Sequence, residues 1–199
     1  MTVLVLGEPD SGKSRYAEEL ALGMMRSALN DDPRNMLSPG LYYIATMSVV
    51  DEESEARVRR HRQMRDGKGF MTLEIPYRVD RAFESIEAPE QAVVLLECVS
   101  NLVGNEMYDN PDRAYEHSGM SREMWLKDTA DAIVSDIMKL SDSCKDLVIV
   151  ANRFEPDAKG YDDMTRLYVE LNNTVNERLS EIAGRVAGIE EIRGAVYGS

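Results

Sequence analysis

Residues 7–14 read Gly7-Glu8-Pro9-Asp10-Ser11-Gly12-Lys13-Ser14, an unbroken G-x-x-x-x-G-K-S run. The chemistry open to such a run is the capture of phosphate. Backbone N–H groups of a glycine-rich loop turn inward around phosphate oxygens, and the positive end of a following helix reinforces them. Lys13 supplies a point charge for the β- and γ-phosphates, and the Ser14 hydroxyl is placed to hold Mg²⁺. The motif requires a strand before it and a helix after it. Here the apolar run Val3-Leu4-Val5-Leu6 precedes the loop, and the helical stretch Tyr16-Ala17-Glu18-Glu19-Leu20-Ala21-Leu22 follows it. The residues therefore imply a nucleoside triphosphate site.

A second group lies in Arg57-Val58-Arg59-Arg60-His61-Arg62-Gln63-Met64-Arg65, a dense basic cluster in a chain of net charge −13. Arg57, His61 and Arg65 are spaced i, i+4 and i+8, so a helix would present them on one face. Two readings fit this spacing. In the first the arginines form a solvated face, paired with Glu52, Glu53 and Glu55 one turn earlier. In the second they grip phosphates, and His61, kept neutral by its cationic neighbours, attacks phosphorus and carries a covalent nucleotidyl group. The other histidine, His117, falls in a polar stretch without such neighbours and reads as a surface residue.

The elements that must position these groups follow from the hydrophobic pattern. Apolar runs at residues 3–6, 41–45, 92–96 and 147–151 predict buried parallel strands, with a weaker strand at 70–75. Helical patterns occupy 14–26, 52–65, 79–86, 121–140 and 163–183, while 30–40, 109–119 and 155–163 read as surface loops. Strands alternating with helices predict an α/β protein, a P-loop NTPase-type three-layer fold with a mostly parallel central sheet. A chain of 199 residues suits one compact domain spanning 1–199. A net charge of −13 and a pI near 4.6 argue against nucleic-acid binding, which needs a basic face. Cys98 and Cys144 adjoin apolar runs and are expected to be buried free thiols, consistent with a reducing cytoplasm. No apolar run approaches the length of a membrane span, and the first residues run straight into a strand rather than a signal peptide. The twelve methionines read as core filler.

Several of these residues carry a joint pattern. The loop 7–14 is followed by Arg15-Tyr16-Ala17-Glu18, then by Tyr43-Ile44-Ala45-Thr46, then by Arg57 with His61-Arg62. Leu95-Leu96-Glu97-Cys98, Asn152 and Asn176 complete it. The pattern resembles the bifunctional adenosylcobinamide kinase/adenosylcobinamide-phosphate guanylyltransferase family of cobalamin biosynthesis, from residue 1 to about residue 186. That resemblance implies two reactions. ATP or GTP phosphorylates the aminopropanol hydroxyl of adenosylcobinamide. GTP then donates GMP to a histidine, which passes it to the adenosylcobinamide phosphate to give adenosylcobinamide-GDP and pyrophosphate. By the same resemblance His61 is the guanylylated histidine. The nucleotide lies against Gly7, Glu8, Pro9, Asp10, Ser11, Gly12, Lys13 and Ser14, and against Ala45, Thr46, Arg62, Arg65, Glu74 and Glu97. Known members also imply a small ring-like homo-oligomer. Glu97, ending the fourth strand, could orient Mg²⁺-bound water or accept a proton from the attacking hydroxyl, which makes it catalytic alongside Lys13 and His61.

The chain departs from the family pattern at three places. The usual loop Gly-Gly-x-Arg-Ser-Gly-Lys-Ser has Glu8 and Asp10 in place of a glycine and the arginine. The usual Asn-Glu-Val-Gly after the fifth strand is Asn152-Arg153-Phe154-Glu155, which displaces the glutamate or hands its role to Glu155. Residues 188–199 lack the final apolar strand. These departures keep two alternatives open: a P-loop small-molecule kinase with another acceptor, and a regulatory nucleotide-binding protein without turnover.

Overall fold

The strands β1 (Thr2–Gly7), β2 (Leu41–Ala45), β3 (Met71–Glu74), β4 (Val93–Glu97), β5 (Asp146–Asn152) and β6 (Arg185–Ala187) form one sheet in the computed structural model. It describes residues 1–31, 40–48, 52–110, 114–156, 160–188, 190–192 and 194. The spatial order is β3-β2-β4-β5-β1-β6, and every pairing is parallel. A parallel sheet needs cover on both faces, and the alternation of side chains provides two cores. Val3, Val5, Tyr43, Val93, Leu95, Val148 and Val150 point to one face, under α1 (Lys13–Asp31). Leu4, Ile44, Val94, Leu96, Leu147 and Ile149 point to the other, under α3 (Val99–Tyr108), α5 (Arg122–Ser143) and α6 (Asp163–Ile182). Val3, Leu4 and Val5 are fully buried, each worth about 1.5–3 kcal/mol against exposure.

Local chemistry fixes the helix starts. Ser121 caps α5 by accepting the Met124 N–H at 3.3 Å, and Asp162 caps α6 by accepting the Thr165 N–H at 2.7 Å. The bonds from Thr165 hold the Asp162 carboxyl below the usual carboxylate range. The helix α2 (Glu52–Arg65) is different in kind. Its sequence is polar on nearly every side, and among the described residues none of it joins either core. It lies along the cleft at the carboxyl ends of the strands, where it is free to present charge.

Several expectations need correction. The helix expected at 79–86 is a 3₁₀ helix over Val79–Ser85, closed by Ile86 N–H to the Phe83 carbonyl at 3.3 Å. Helix α3 was not anticipated, because Gly104 and two asparagines dilute its pattern, although Val99, Leu102, Val103 and Met107 keep helical spacing. The expected loop 109–119 contains α4 (Tyr115–Ser118), and the expected loop 30–40 begins inside α1, its residues 32–39 lying outside the described residues. Strand β6 has three residues between Gly184 and Gly188, too few to register as a period. Cys98 and Cys144 are free thiols but half-buried rather than buried. The side chains of Arg57 and His117 fall outside the described residues.

Candidate active site

The loop between β1 and α1 adopts the backbone that phosphate capture needs. Gly12 has φ 83°, the left-handed region where glycine meets no Cβ penalty. At Gly7 a Cβ would stand 2.9 Å from Ser11 Oγ, so a side chain there would force the Ser11 hydroxyl to move. Asp10 has φ 58°, and aspartate is among the few side-chain-bearing residues that enter this region readily. Aspartate is thus tolerated at the position where the resembled pattern has arginine. The loop is held to β5 by Arg153 N–H donating to the Gly7 carbonyl at 3.0 Å.

Lys13 is 7% exposed and donates from Nζ to the Glu8 carbonyl at 2.9 Å. Burial pulls its ammonium below the ordinary lysine value, while the charges of Cys98, Glu97 and Asp10 act in the opposite sense. A buried cation with a single backbone partner gains most from an incoming anion.

Glu97 is the hub. It ends β4, opposite Ala45 of β2, and is 8% exposed. Its Oε1 accepts from Ser14 Oγ at 2.5 Å, and its Oε2 accepts from the Tyr43 hydroxyl at 3.1 Å. Burial, and then the Glu97 charge, push the Tyr43 phenol far above its usual value, so it is a fixed donor. His61 Nδ1, from the middle of α2, stands 3.8 Å from Glu97 Oε1. Arg65, in the last turn of α2, lies over the Tyr43 ring with Cζ 3.4 Å from its centroid. Arg65 is 6% exposed, yet its Nε and Nη1 have no hydrogen-bond partner among the described residues. Arg62 forms an ion pair with Glu74 at the end of β3. Of the acidic residues expected to pair with α2 arginines, Glu55 meets Arg59 at 3.5 Å on an exposed face, so part of this helix is solvated.

These groups line one cleft of about 710 Å³, with Pro9, Asp10, Gly12, Lys13 and Ser14 on one wall and His61, Arg62 and Arg65 on the other. Ala45, Glu74 and Glu97 form its floor along the strand ends. The volume is that of a ligand site for a nucleotide-sized molecule. Thr46 is fully buried instead, its hydroxyl donating to the Cys98 carbonyl and accepting the Cys98 N–H, both at 2.8 Å. It braces the Glu97–Cys98 turn from behind. Asn176 and Asn172 brace the opposite side, donating to the Asn152 carbonyl at 2.8 Å and 2.9 Å. The sequence reading missed Tyr43 as the holder of Glu97. The available signal was a strand tyrosine two positions before Ala45, on the face that Glu97 shares. Among the described residues no cluster of three or more His, Cys, Asp or Glu could hold a metal by itself.

The family described as cobinamide kinase / cobinamide phosphate guanyltransferase matches residues 3–191. The chain is 30% identical over 195 residues to the bifunctional adenosylcobalamin biosynthesis protein CobU of Escherichia coli, covering 94% of this chain and 93% of that protein. It is 28% identical over 194 residues to the protein of the same name in Salmonella typhimurium, again covering 94% and 93%. Identity to the bifunctional adenosylcobalamin biosynthesis protein CobP of Pseudomonas aeruginosa is 27% over 194 residues, 95% of each chain.

Proposed function

The chain belongs to the cobinamide kinase/cobinamide phosphate guanyltransferase family, and from that premise we propose that one cleft runs both reactions, with His61 carrying GMP between them. The protein is a transferase of cobalamin biosynthesis, a nucleotide-dependent kinase and guanylyltransferase. The observation that supports a shared cleft is Glu97, whose Oε1 has both Ser14 of the phosphate loop and His61 of α2 beside it.

In the kinase reaction the loop residues 7–14 cradle the triphosphate of ATP or GTP, and Lys13 offsets charge on its β- and γ-phosphates. Glu97 accepts the proton of the aminopropanol hydroxyl of adenosylcobinamide as that oxygen bonds to the γ-phosphorus and the β–γ bridging bond breaks, releasing ADP or GDP. Ser14 Oγ beside a carboxylate is a hard-oxygen donor set that fits Mg²⁺ completed by phosphate and water, and these two residues would hold it. When bound, Mg²⁺ supplies positive charge to the phosphate oxygens.

In the transferase reaction the His61 imidazole attacks the α-phosphorus of GTP, and the α–β bridging bond breaks to release pyrophosphate. A phosphate oxygen of adenosylcobinamide phosphate then attacks the same phosphorus, the phosphorus–nitrogen bond breaks, and adenosylcobinamide-GDP forms. Arg62 and Arg65 offset the charge on the phosphoryl oxygens and the leaving group. Arg65 suits this task because its free N–H groups already lie buried beside the cleft. Ala45, Thr46 and Glu74 complete the nucleotide surroundings, Thr46 from behind the wall. We also place the enzyme in the cytoplasm as one domain of a homo-oligomer. Two free thiols and the kinship with known members support that reading, and among the described residues no helix is long and apolar enough to cross a membrane.

The test is product analysis after incubation with adenosylcobinamide, ATP, GTP and Mg²⁺. Adenosylcobinamide-GDP and pyrophosphate are expected. Accumulation of the monophosphate alone would leave a kinase with another partner for its second step, and absence of both products would refute the reading.

A further inference from the structure

We propose that Glu97 is the positioning residue of guanylyl transfer: its Oε1 takes the Nδ1–H of His61, so that Nε2 carries the lone pair that attacks GTP. The inference rests on the reading of His61 as the GMP carrier and adds which ring nitrogen acts and what selects it.

Three observations carry it. First, the Glu97 carboxylate is immobilised at both oxygens, Oε1 by Ser14 and Oε2 by Tyr43. Tyr43 is itself held between its hydrogen bond and the guanidinium of Arg65 over its ring. Such a carboxylate is a fixed acceptor rather than a wandering one. Second, the ring nitrogen of His61 facing it is Nδ1, at 3.8 Å. This separation exceeds a hydrogen bond, but hydrogen bonds of catalytic groups are often long before substrate arrives and tighten in the complex. Third, Glu74, another carboxylate lining the cleft with His61, is paired with Arg62 and is mostly exposed, so it does not compete for the imidazole.

A neutral imidazole carries one N–H, and the group that accepts it decides which nitrogen keeps the lone pair. With Nδ1–H directed at Oε1, the Nε2 lone pair forms the bond to the α-phosphorus while the α–β bridging bond breaks and its electrons leave with pyrophosphate. The Nδ1 proton stays on the ring, and the buried carboxylate balances the positive charge that the phosphorylated ring acquires. In the second step the acceptor phosphate oxygen bonds to phosphorus, and the Nε2–P electrons return to Nε2. No proton leaves the site in either step. The same carboxylate thereby sets the Ser14 hydroxyl for one reaction and the His61 tautomer for the other.

The experiment is side-chain ¹⁵N–¹H correlation NMR on the full chain above the imidazole titration range, with His117→Gln used to assign the two histidines. The wild-type protein should show His61 protonated on Nδ1, and Glu97→Ala should shift it to the Nε2–H form. Ser14→Ala should slow catalysis yet keep the Nδ1–H tautomer, which separates positioning of the imidazole from handling of the triphosphate. Single-turnover guanylylation by Glu97→Ala should fall by up to ~10⁴-fold, the scale of a wrong histidine tautomer in a serine–histidine–aspartate triad. If Glu97→Ala does not fold, the wild-type tautomer and the linkage of its adduct still decide. An Nε2–H tautomer in the wild type, an adduct linked through Nδ1, or an unchanged tautomer in folded Glu97→Ala would each overturn the proposal. A wild-type protein that forms no histidine adduct at all would instead overturn the functional reading beneath it.

Discussion

Replacing Arg65 with Met should leave the nucleotide-free protein as stable as the wild type or more so, while weakening its grip on GTP. In the free protein the guanidinium is buried over the Tyr43 ring, a desolvated cation–π contact worth about 2 kcal/mol. Against that stand two buried N–H groups, Nε and Nη1, without partners, each costing roughly 1–3 kcal/mol. Methionine keeps most of the apolar stem and removes both the contact and the unsatisfied donors. The balance favours the variant by roughly 0–4 kcal/mol, about 2–4 °C in melting temperature for each kcal/mol in a chain of this size. GTP binding should respond in the opposite direction. One lost charge-assisted hydrogen bond to phosphate is worth about 1.5–3 kcal/mol, so affinity should fall roughly 10- to 150-fold. Thermal melts of both proteins, with and without GTP and Mg²⁺, read the two effects in one assay. A variant that melts well below the wild type without ligand, yet gains as much from GTP, would refute the reasoning and make Arg65 a packing residue.

Lys13→Ala should lower turnover by at least ~10²-fold, as when a preorganised electrostatic contact is lost elsewhere, with the far-ultraviolet spectrum and melting cooperativity unchanged; near-normal turnover would displace the triphosphate from this loop. Burial pushes the Cys98 thiol up to about 11, so at pH 8 it carries ~10²-fold less thiolate than an ordinary cysteine. Iodoacetamide labelling of native protein should therefore be slow, should accelerate as pH rises towards 11, and should be suppressed at Cys98 by bound nucleotide. Labelling of Cys144, pushed up to about 12 and away from the cleft, should ignore nucleotide. Lys68 pairs at 2.5 Å with Glu18, whose side chain is 2% exposed, and so ties the loop after α2 to α1. Lys68→Met should cost about 1–3 kcal/mol by stranding a buried carboxylate, and adding Glu18→Gln should recover part of it in denaturant melts.

The strand–loop–helix unit and the alternation of the remaining strands and helices were legible because their signals are local. A glycine-rich loop, four unbroken apolar runs and two long amphipathic helices each announce themselves within a few residues. Strand β6 and helix α3 were not, since three residues define no period and Gly104 with neighbouring asparagines masks one. The 3₁₀ geometry at Val79–Ser85 depends on hydrogen-bond register, which composition does not encode. In the candidate site, Lys13, Ser14, His61 and Glu97 were singled out by motif and resemblance, and the fold gathers them into one cleft. What the chain order hides is the meeting of Tyr43, Glu97 and Arg65, contributed by β2, β4 and α2. Arg65 was expected among phosphate-gripping arginines, but its seat on an aromatic ring arises only when Tyr43 and α2 converge. Likewise the cationic surroundings expected for His61 include a carboxylate, because β4 ends directly beneath α2.

The most direct test of the shared cleft with a histidine carrier is an intact-mass measurement after exposure to GTP and Mg²⁺, followed by peptide mapping under basic conditions. A phosphorus–nitrogen bond to imidazole survives base and breaks in acid, so the mapping must avoid acid. The account predicts a mass increase of one GMP, located on His61, lost on acid treatment and discharged by adenosylcobinamide phosphate. His61→Asn should abolish it while leaving phosphorylation of adenosylcobinamide partly intact, since that step depends on Lys13, Ser14 and Glu97. An adduct on any other residue, or none on wild-type protein under conditions where adenosylcobinamide-GDP forms, would contradict the account.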